Sequence, residues 1–151
     1  MARRPRSALP EFGFFHLISR GVDRAPIFLA DDDRQFFVGL LNSTMRRSSW
    51  ECHAYCLMGN HFHLVLEAAR DDLSEGMQRL NGVYAQSFNG CYGRVGHLFQ
   101  NRFGARLIES EEGLTGTCRY VFDSPVRAGL CEQPEDWPWS GGRAHAALRL
   151  S

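Results

Sequence analysis

Two strand-like segments, 51–58 and 61–67, meet at Gly59-Asn60, and this junction constrains the fold more than any other feature of the chain. Gly-Asn is a tight-turn dipeptide, so the two segments read as an antiparallel hairpin. Residues 12–20, rich in aromatic and aliphatic side chains and ending at Gly21, read as an earlier strand. A helix is expected over 31–47. Three Asp at its start suit the positive end of the dipole, and Phe36, Phe37, Leu40, Leu41, Thr44 and Met45 recur at helical spacing. Asp72 and Glu75 have capping-box spacing and open a second helix with the stripe Leu73, Met77, Leu80, Tyr84 and Phe88. Residues 90–96 read as a loop and 103–108 as a fourth strand whose place in the sheet is left open. Ser110 caps a third helix with the apolar face Leu114, Cys118 and Val121 or Phe122, and Pro125 is expected to stop it.

The order β-α-β-β-α-β with an additional C-terminal helix predicts an α+β, ferredoxin-like sandwich. Two helices cover one sheet face; the other is free for a site or for the extra helix. Residues 11–140 form the single expected domain, with a basic arm at 1–10 and a flexible tail at 141–151. Trp137 and Trp139, around Pro138, are expected to clamp onto the domain surface.

Hydrophobic residues make up 44% of the 151 and charged residues 23%, which excludes a disordered chain and a coiled coil. No apolar run is long enough for a membrane span, and the basic N-terminus lacks the apolar stretch of a secretory signal. The five Cys form no CxxC pair, so a reducing, cytoplasmic setting is expected. Cys52 and Cys56, four apart in one strand, are expected to share a face. Net charge is zero, but its distribution is uneven. From 76 to 108 there is no acid, while Arg79, Arg94, Arg102 and Arg106 fall there; Arg3, Arg4 and Arg6 form a second basic cluster. Local positive surface on a neutral protein fits a polyanion. Those four arginines are candidate phosphate contacts, with Tyr55 and Phe99 as candidate base-stacking rings.

His61-Phe62-His63 is the sharpest chemical feature. In a strand the two imidazoles share one face while Phe62 takes the other, so His61 and His63 are candidate ligands for a divalent metal. Two partly exposed surface histidines are the plainer alternative. Tyr120, in the third helix, lies off its apolar stripe; it is a candidate nucleophile or a core residue with its hydroxyl tied off. Asp123 and Ser124, about one turn on, are further candidate oxygen ligands.

The chain resembles the IS200-like transposase family, specifically its REP-associated tyrosine transposase branch of HUH-type endonucleases. The match is carried by 18–24 (Ile-Ser-Arg-Gly-Val-Asp-Arg), 53–63 (His-Ala-Tyr-Cys-Leu-Met-Gly-Asn-His-Phe-His) and 76–82 (Gly-Met-Gln-Arg-Leu-Asn-Gly). It continues through 96–103, 119–130 and 136–140 (Asp-Trp-Pro-Trp-Ser), in the family's order. The resemblance implies a metal-dependent single-stranded DNA endonuclease and strand transferase working at hairpin-associated DNA in transposition. Tyr120 would form a 5′-phosphotyrosine and release a 3′-hydroxyl, with Mg²⁺ or Mn²⁺ held by His61 and His63. It places Arg20 and Arg24 near the DNA. Relatives act as homodimers or as monomers.

Three departures stand out. Gly59 replaces the usual Pro in the hairpin turn. Phe122 replaces a His after the tyrosine, and Ser124 replaces the Asn that offers a third, amide-type ligand. The alternative reading is accordingly a weakened, domesticated, noncatalytic DNA-binding module. A hydrolase working through activated water is a third, in which cleavage would survive loss of Tyr120.

Overall fold

The computed structural model describes residues 11–100 and 103–145. The basic arm at 1–10, Arg102, and the tail beyond His145 lie outside the described residues. The element order is β1 (Phe12–Arg20), α1 (Asp31–Ser48), β2 (Glu51–Leu57), β3 (His61–Ala69), α2 (Arg70–Tyr92), β4 (Gly104–Ile108), α3 (Glu111–Arg127) and β5 (Ser140–Gly141). One antiparallel sheet joins the strands in the order β4-β1-β3-β2-β5, so β4 is an edge strand beside β1. This is the ferredoxin-like α+β architecture, with α3 and a short fifth strand added.

The main core lies between the sheet and the α1–α2 pair. Phe15 and Leu17 of β1 and Phe62, Leu64 and Leu66 of β3 meet Phe37 and Leu41 of α1 and Leu73, Met77, Leu80 and Tyr84 of α2. Burying each such side chain stabilises the fold by about 1.5–3 kcal/mol. Tyr84 closes this core by donating its buried hydroxyl to the carbonyl of Ile27. At the start of α1, the Asp33 carboxylate accepts the backbone N–H groups of Leu29 and Ala30 at 2.9 and 3.0 Å. The expected cluster of acids there thus satisfies backbone donors directly.

The other face is not bare. A second, smaller core of Ala54, Cys56 and Met58, Val65, and Ile108 packs against Cys118, Val121 and Phe122 of α3. The extra helix therefore covers the β2–β3 half of that face and the Ile108 end of β4, and leaves the stretch from His16 to Ile18 and Gly104 to Arg106 open beside it.

Several boundaries differ from the sequence expectation. Helix α2 starts at Arg70, straight out of β3, so Asp72 and Glu75 lie inside it and do not cap it. It also runs on through Gly90 to Tyr92, ending where Gly93 turns left-handed at φ 61°. Pro125 does not stop α3; the helix continues to Arg127, and Gly129 at φ 76° ends the segment. A proline near the last turn removes one intrahelical bond but tolerates one more turn when the following N–H groups find carbonyls, as those of Ala128 and Leu130 do on Ser124 and Pro125. A register shift in β2 between Cys52 and Ala54 separates the two cysteines. Cys52 joins the helix-side core and Cys56 the α3-side core. The tryptophan segment does clamp: the Trp137 indole N–H donates to the Leu57 carbonyl at 3.1 Å, and the Leu57 N–H donates to the Trp139 carbonyl at 2.8 Å. Past it, the chain pairs with β2 as β5, and the N–H groups of Arg143 and Ala144 still bond to Cys52 and His53.

Helix α2 lies so close to Trp50 that a Cβ on Gly76 would sit 2.2 Å from its ring, whereas a Cβ on Gly82 would meet nothing within 4 Å. Gly76→Ala should therefore lower stability by about 1–3 kcal/mol through overpacking. Gly82→Ala should raise it by about 0.5–1 kcal/mol through helix propensity. Urea midpoints of the two variants, moving in opposite directions, check this contact.

Candidate active site

Phe62, Leu64 and Leu66 are fully buried on the helix side of β3, so a one-residue slip would expose all three. That register forces His61 and His63 to the α3 side, where their ring centroids lie 5.0 Å apart. His61 is half-buried, with Nδ1 2.7 Å from the Asn60 side-chain oxygen. The Asn60 amide nitrogen donates to the Arg24 carbonyl at 3.2 Å, which turns the oxygen toward His61. His63 is buried beneath α3.

A third imidazole belongs to the cluster. His16 of β1 shares the α3-side face with Phe14, Ile18 and Arg20, and its Nε2 lies 3.0 Å from Nδ1 of His63. The two rings stack at 5.2 Å with planes 19° apart. Sequence reasoning missed His16. The signal was available in its alternation with Ile18, but only the pairing of β1 with β3 says that this face is the one carrying His61 and His63.

The inward turn of α3 brings Tyr120 over these rings. Its ring stands edge-on to His63 at 6.1 Å and to His16 at 6.2 Å, while the side chain is half exposed. Arg127, also missed, holds it there. Its guanidinium lies 3.9 Å above the Tyr120 ring and donates to the Tyr120 carbonyl at 2.9 Å and to the Ser124 hydroxyl at 3.0 Å. Ser124 in turn donates to the Tyr120 carbonyl at 3.2 Å. The serine hydroxyl thus serves the last turn of α3 instead of facing the imidazoles.

Electrostatics keep the three histidines neutral. Burial first, and then Arg106, pushes His16 down to about 4. Burial and Arg20 push His61 down to about 4, and burial with the neighbouring His16, His61, Arg127 and Arg20 lowers His63 further still. Neutral imidazoles present lone pairs, the form that binds a metal.

The other candidate residues divide between the two sides of the sheet. Arg20 is paired with His61 in the β1–β3 register, and exposed Arg106 is paired with His16 across β1–β4. Arg24 is exposed at the adjoining turn. Arg79 is exposed on α2, on the opposite layer, and Arg94 is tied to Asn89 and the His97 carbonyl at the end of that helix. Tyr55 also faces the helix side, half-buried, and Phe99 packs edge-on against Phe62 at 6.0 Å. Neither ring reaches the imidazoles. Asp123 is exposed.

Beside Tyr120 a groove of about 450 Å³ runs between α3 and the open β1–β4 half of the sheet. Its walls are His16, Ile18, Ala105, Arg106, Thr117 and Tyr120, and Gly104, Gly113 and Gly116 leave it wide.

Among the described residues no three His, Cys, Asp or Glu side chains group as a metal cluster, so neither Asp123 nor another acid completes a set with the histidine pair. The donor chemistry nonetheless fits a divalent cation held by His61 and His63 and otherwise by substrate phosphate and water oxygens.

Comparison with known proteins identifies the family. The family model "Transposase IS200 like" matches residues 14–123, from β1 through the turn of α3 that carries Tyr120. The chain belongs to the IS200-like transposase family. A Haemophilus influenzae protein assigned by name to the REP-associated tyrosine transposases is 25% identical over 138 residues, covering 84% of this chain and 77% of that relative. The solved structure of a REP-associated tyrosine transposase bound to a REP hairpin superposes with a TM-score of 0.73 at 20% identity, covering 93% of this chain and 82% of the other. A crystal structure named as a Deinococcus radiodurans transposase superposes at 0.53 with 17% identity, covering 80% of this chain and 95% of that one. Both structural likenesses establish the fold. No helix among the described residues of this transposase-family chain is long and apolar enough to cross a membrane.

The depressed histidines make stability pH-dependent. Their folded values lie below the ordinary 6.5, so an unfolded chain takes up protons that the folded one refuses. The stabilisation is complete above about 6.5 and is lost as pH falls through 6.5 toward 4. In chelator-containing buffer, Tm should fall between pH 7.5 and 5.5, and His16→Gln should flatten the slope; thermal melts across that range test it.

Proposed function

We propose that this chain cuts single-stranded DNA beside a hairpin through Tyr120, with Mg²⁺ or Mn²⁺ as cofactor, and rejoins it in strand transfer. The observation that carries the reading is the half-exposed Tyr120 ring standing 6.1 Å from His63 on the face that also holds His61. Burial is a poor explanation for a phenol left half in solvent beside two neutral imidazoles.

In this reading the Tyr120 oxygen attacks phosphorus and gives its proton to solvent. The bond from phosphorus to the 3′-oxygen breaks, and that oxygen takes a proton to become the 3′-hydroxyl, leaving the 5′-phosphate on Tyr120. When bound at His61 and His63, the divalent cation neutralises charge on the non-bridging oxygens of the scissile phosphate. Arg127 fixes the phenol ring over the site, which limits the geometries it must search. Arg20 and Arg106, set beside His61 and His16, flank the path as phosphate contacts. The groove next to Tyr120 takes the nucleotide adjoining the cut. Tyr120 reaches the histidines of its own chain, so one protomer supplies both parts of the chemistry. Hairpin DNA as the partner draws support from the relative solved with a REP hairpin.

The noncatalytic reading keeps one specific observation in its favour, the Ser124 hydroxyl spent on the Tyr120 carbonyl and Arg127. Incubation of labelled hairpin-flanked single-stranded DNA with Mn²⁺ separates the two. The enzyme reading expects a denaturation-resistant adduct that Tyr120→Phe and His61→Ala abolish. An equal adduct yield from Tyr120→Phe overturns the assignment; binding without any adduct in the unaltered chain favours the module.

A second variant tests the groove. A Cβ at Gly116 meets nothing within 4 Å, so Gly116→Leu should fold normally while filling the space beside Tyr120. Adduct yield should fall at least tenfold with Tm unchanged or raised, and an undiminished yield would remove the groove from the path.

A further inference from the structure

We infer that His16 is a positioning residue that locks His63 in the tautomer whose Nε2 lone pair faces the cation site. The inference rests on the metal reading above for the direction of the bond, since the 3.0 Å contact admits either nitrogen as donor; its content is a tautomer that can be measured without metal.

A neutral imidazole carries one proton on either nitrogen, and a free histidine side chain prefers Nε2. A histidine that offers Nε2 to a cation must carry its proton on Nδ1, and that N–H needs an acceptor when buried. At His61 the acceptor is plain: Nδ1 lies 2.7 Å from the Asn60 oxygen, and that amide is held in orientation by its bond to the Arg24 carbonyl. At His63 the partner is His16 Nε2, 3.0 Å from Nδ1. His63 is 4% exposed and His16 8%, so water is a poor substitute acceptor for either. With His63 Nδ1–H as donor, His16 accepts on Nε2 and carries its own proton on Nδ1. The near-parallel rings, 19° between planes with Nε2 and Nδ1 facing each other, hold the direction in which His63 points. Both imidazoles of the pair are thus oriented through Nδ1, one by a turn amide and the other by a histidine from the neighbouring strand.

The direct test is ¹⁵N NMR of the side chains in the metal-free, otherwise unaltered chain, which needs no variant. Protonated Nδ1 and unprotonated Nε2 at His63 support the inference; a dominant Nε2–H tautomer at His63 overturns it, whatever the fate of the enzymatic reading. The consequence is then read as Mn²⁺ affinity by electron paramagnetic resonance, without DNA. His16→Leu should weaken binding by about 10–100-fold and shift His63 toward the Nε2–H form. His16→Gln, whose amide oxygen can accept at the position of Nε2, should restore most of the affinity and the Nδ1–H tautomer. A His16→Leu chain that binds Mn²⁺ as tightly as the parent overturns the positioning role. If the parent shows no Mn²⁺ binding sensitive to His61→Ala, the metal reading fails instead, and the NMR result still decides the His63 tautomer.

Discussion

The packing of α3 onto the second face of the sheet is the contact on which the site depends. Cys118, Val121 and Phe122 bury against Ala54, Cys56, Met58, Val65 and Ile108, and this seals the β2–β3 half of the face and the Ile108 end of β4. Tyr120 precedes Val121 by one residue, so once that stripe is seated its phenol projects over the boundary between sealed and open halves. The histidines lie under that boundary. A ferredoxin-like sheet without α3 would present two imidazoles and no nucleophile. With α3 centred over β1, the groove beside Tyr120 would close.

Neutrality and order come from the same neighbours. Burial and the surrounding arginines keep His16, His61 and His63 unprotonated, while hydrogen bonds through Nδ1 give the paired histidines their orientation. Arg127 couples the far end of α3 to Tyr120 by cation–π and backbone contacts. The ring orientations are thus set before any ligand arrives.

Much of this was legible from local pattern. The Gly59-Asn60 turn, the alternation in β3 and the Ser110 cap are short-range signals, and β3 and α3 start where those signals fall. His61 and His63 sharing a face follows from a period of two. What failed were features set by tertiary pairing. The β2 register shift that splits Cys52 from Cys56 leaves no mark in composition. Asp72 and Glu75 look like a cap, yet α2 begins earlier because β3 delivers the chain directly into it. Tyr55 has the chemistry of a stacking ring, but the face it occupies is decided by which half of the hairpin meets α1 and α2. His16 could be read only after β1 is known to lie beside β3. Membership of the IS200-like transposases was carried by the ordered series of short blocks, since each is modest alone.

The account stands on one spatial claim, that His61, His63 and Tyr120 surround a single cation-binding point on the α3 side. Paramagnetic broadening of side-chain NMR signals on titration with Mn²⁺ measures this most directly. The rings of His61, His63 and Tyr120 should broaden first and together, at lower Mn²⁺ than Tyr55 and Phe99 on the opposite face. Broadening centred elsewhere, for instance at the acidic start of α1 formed by Asp31, Asp32 and Asp33, with the three rings unchanged, would contradict it.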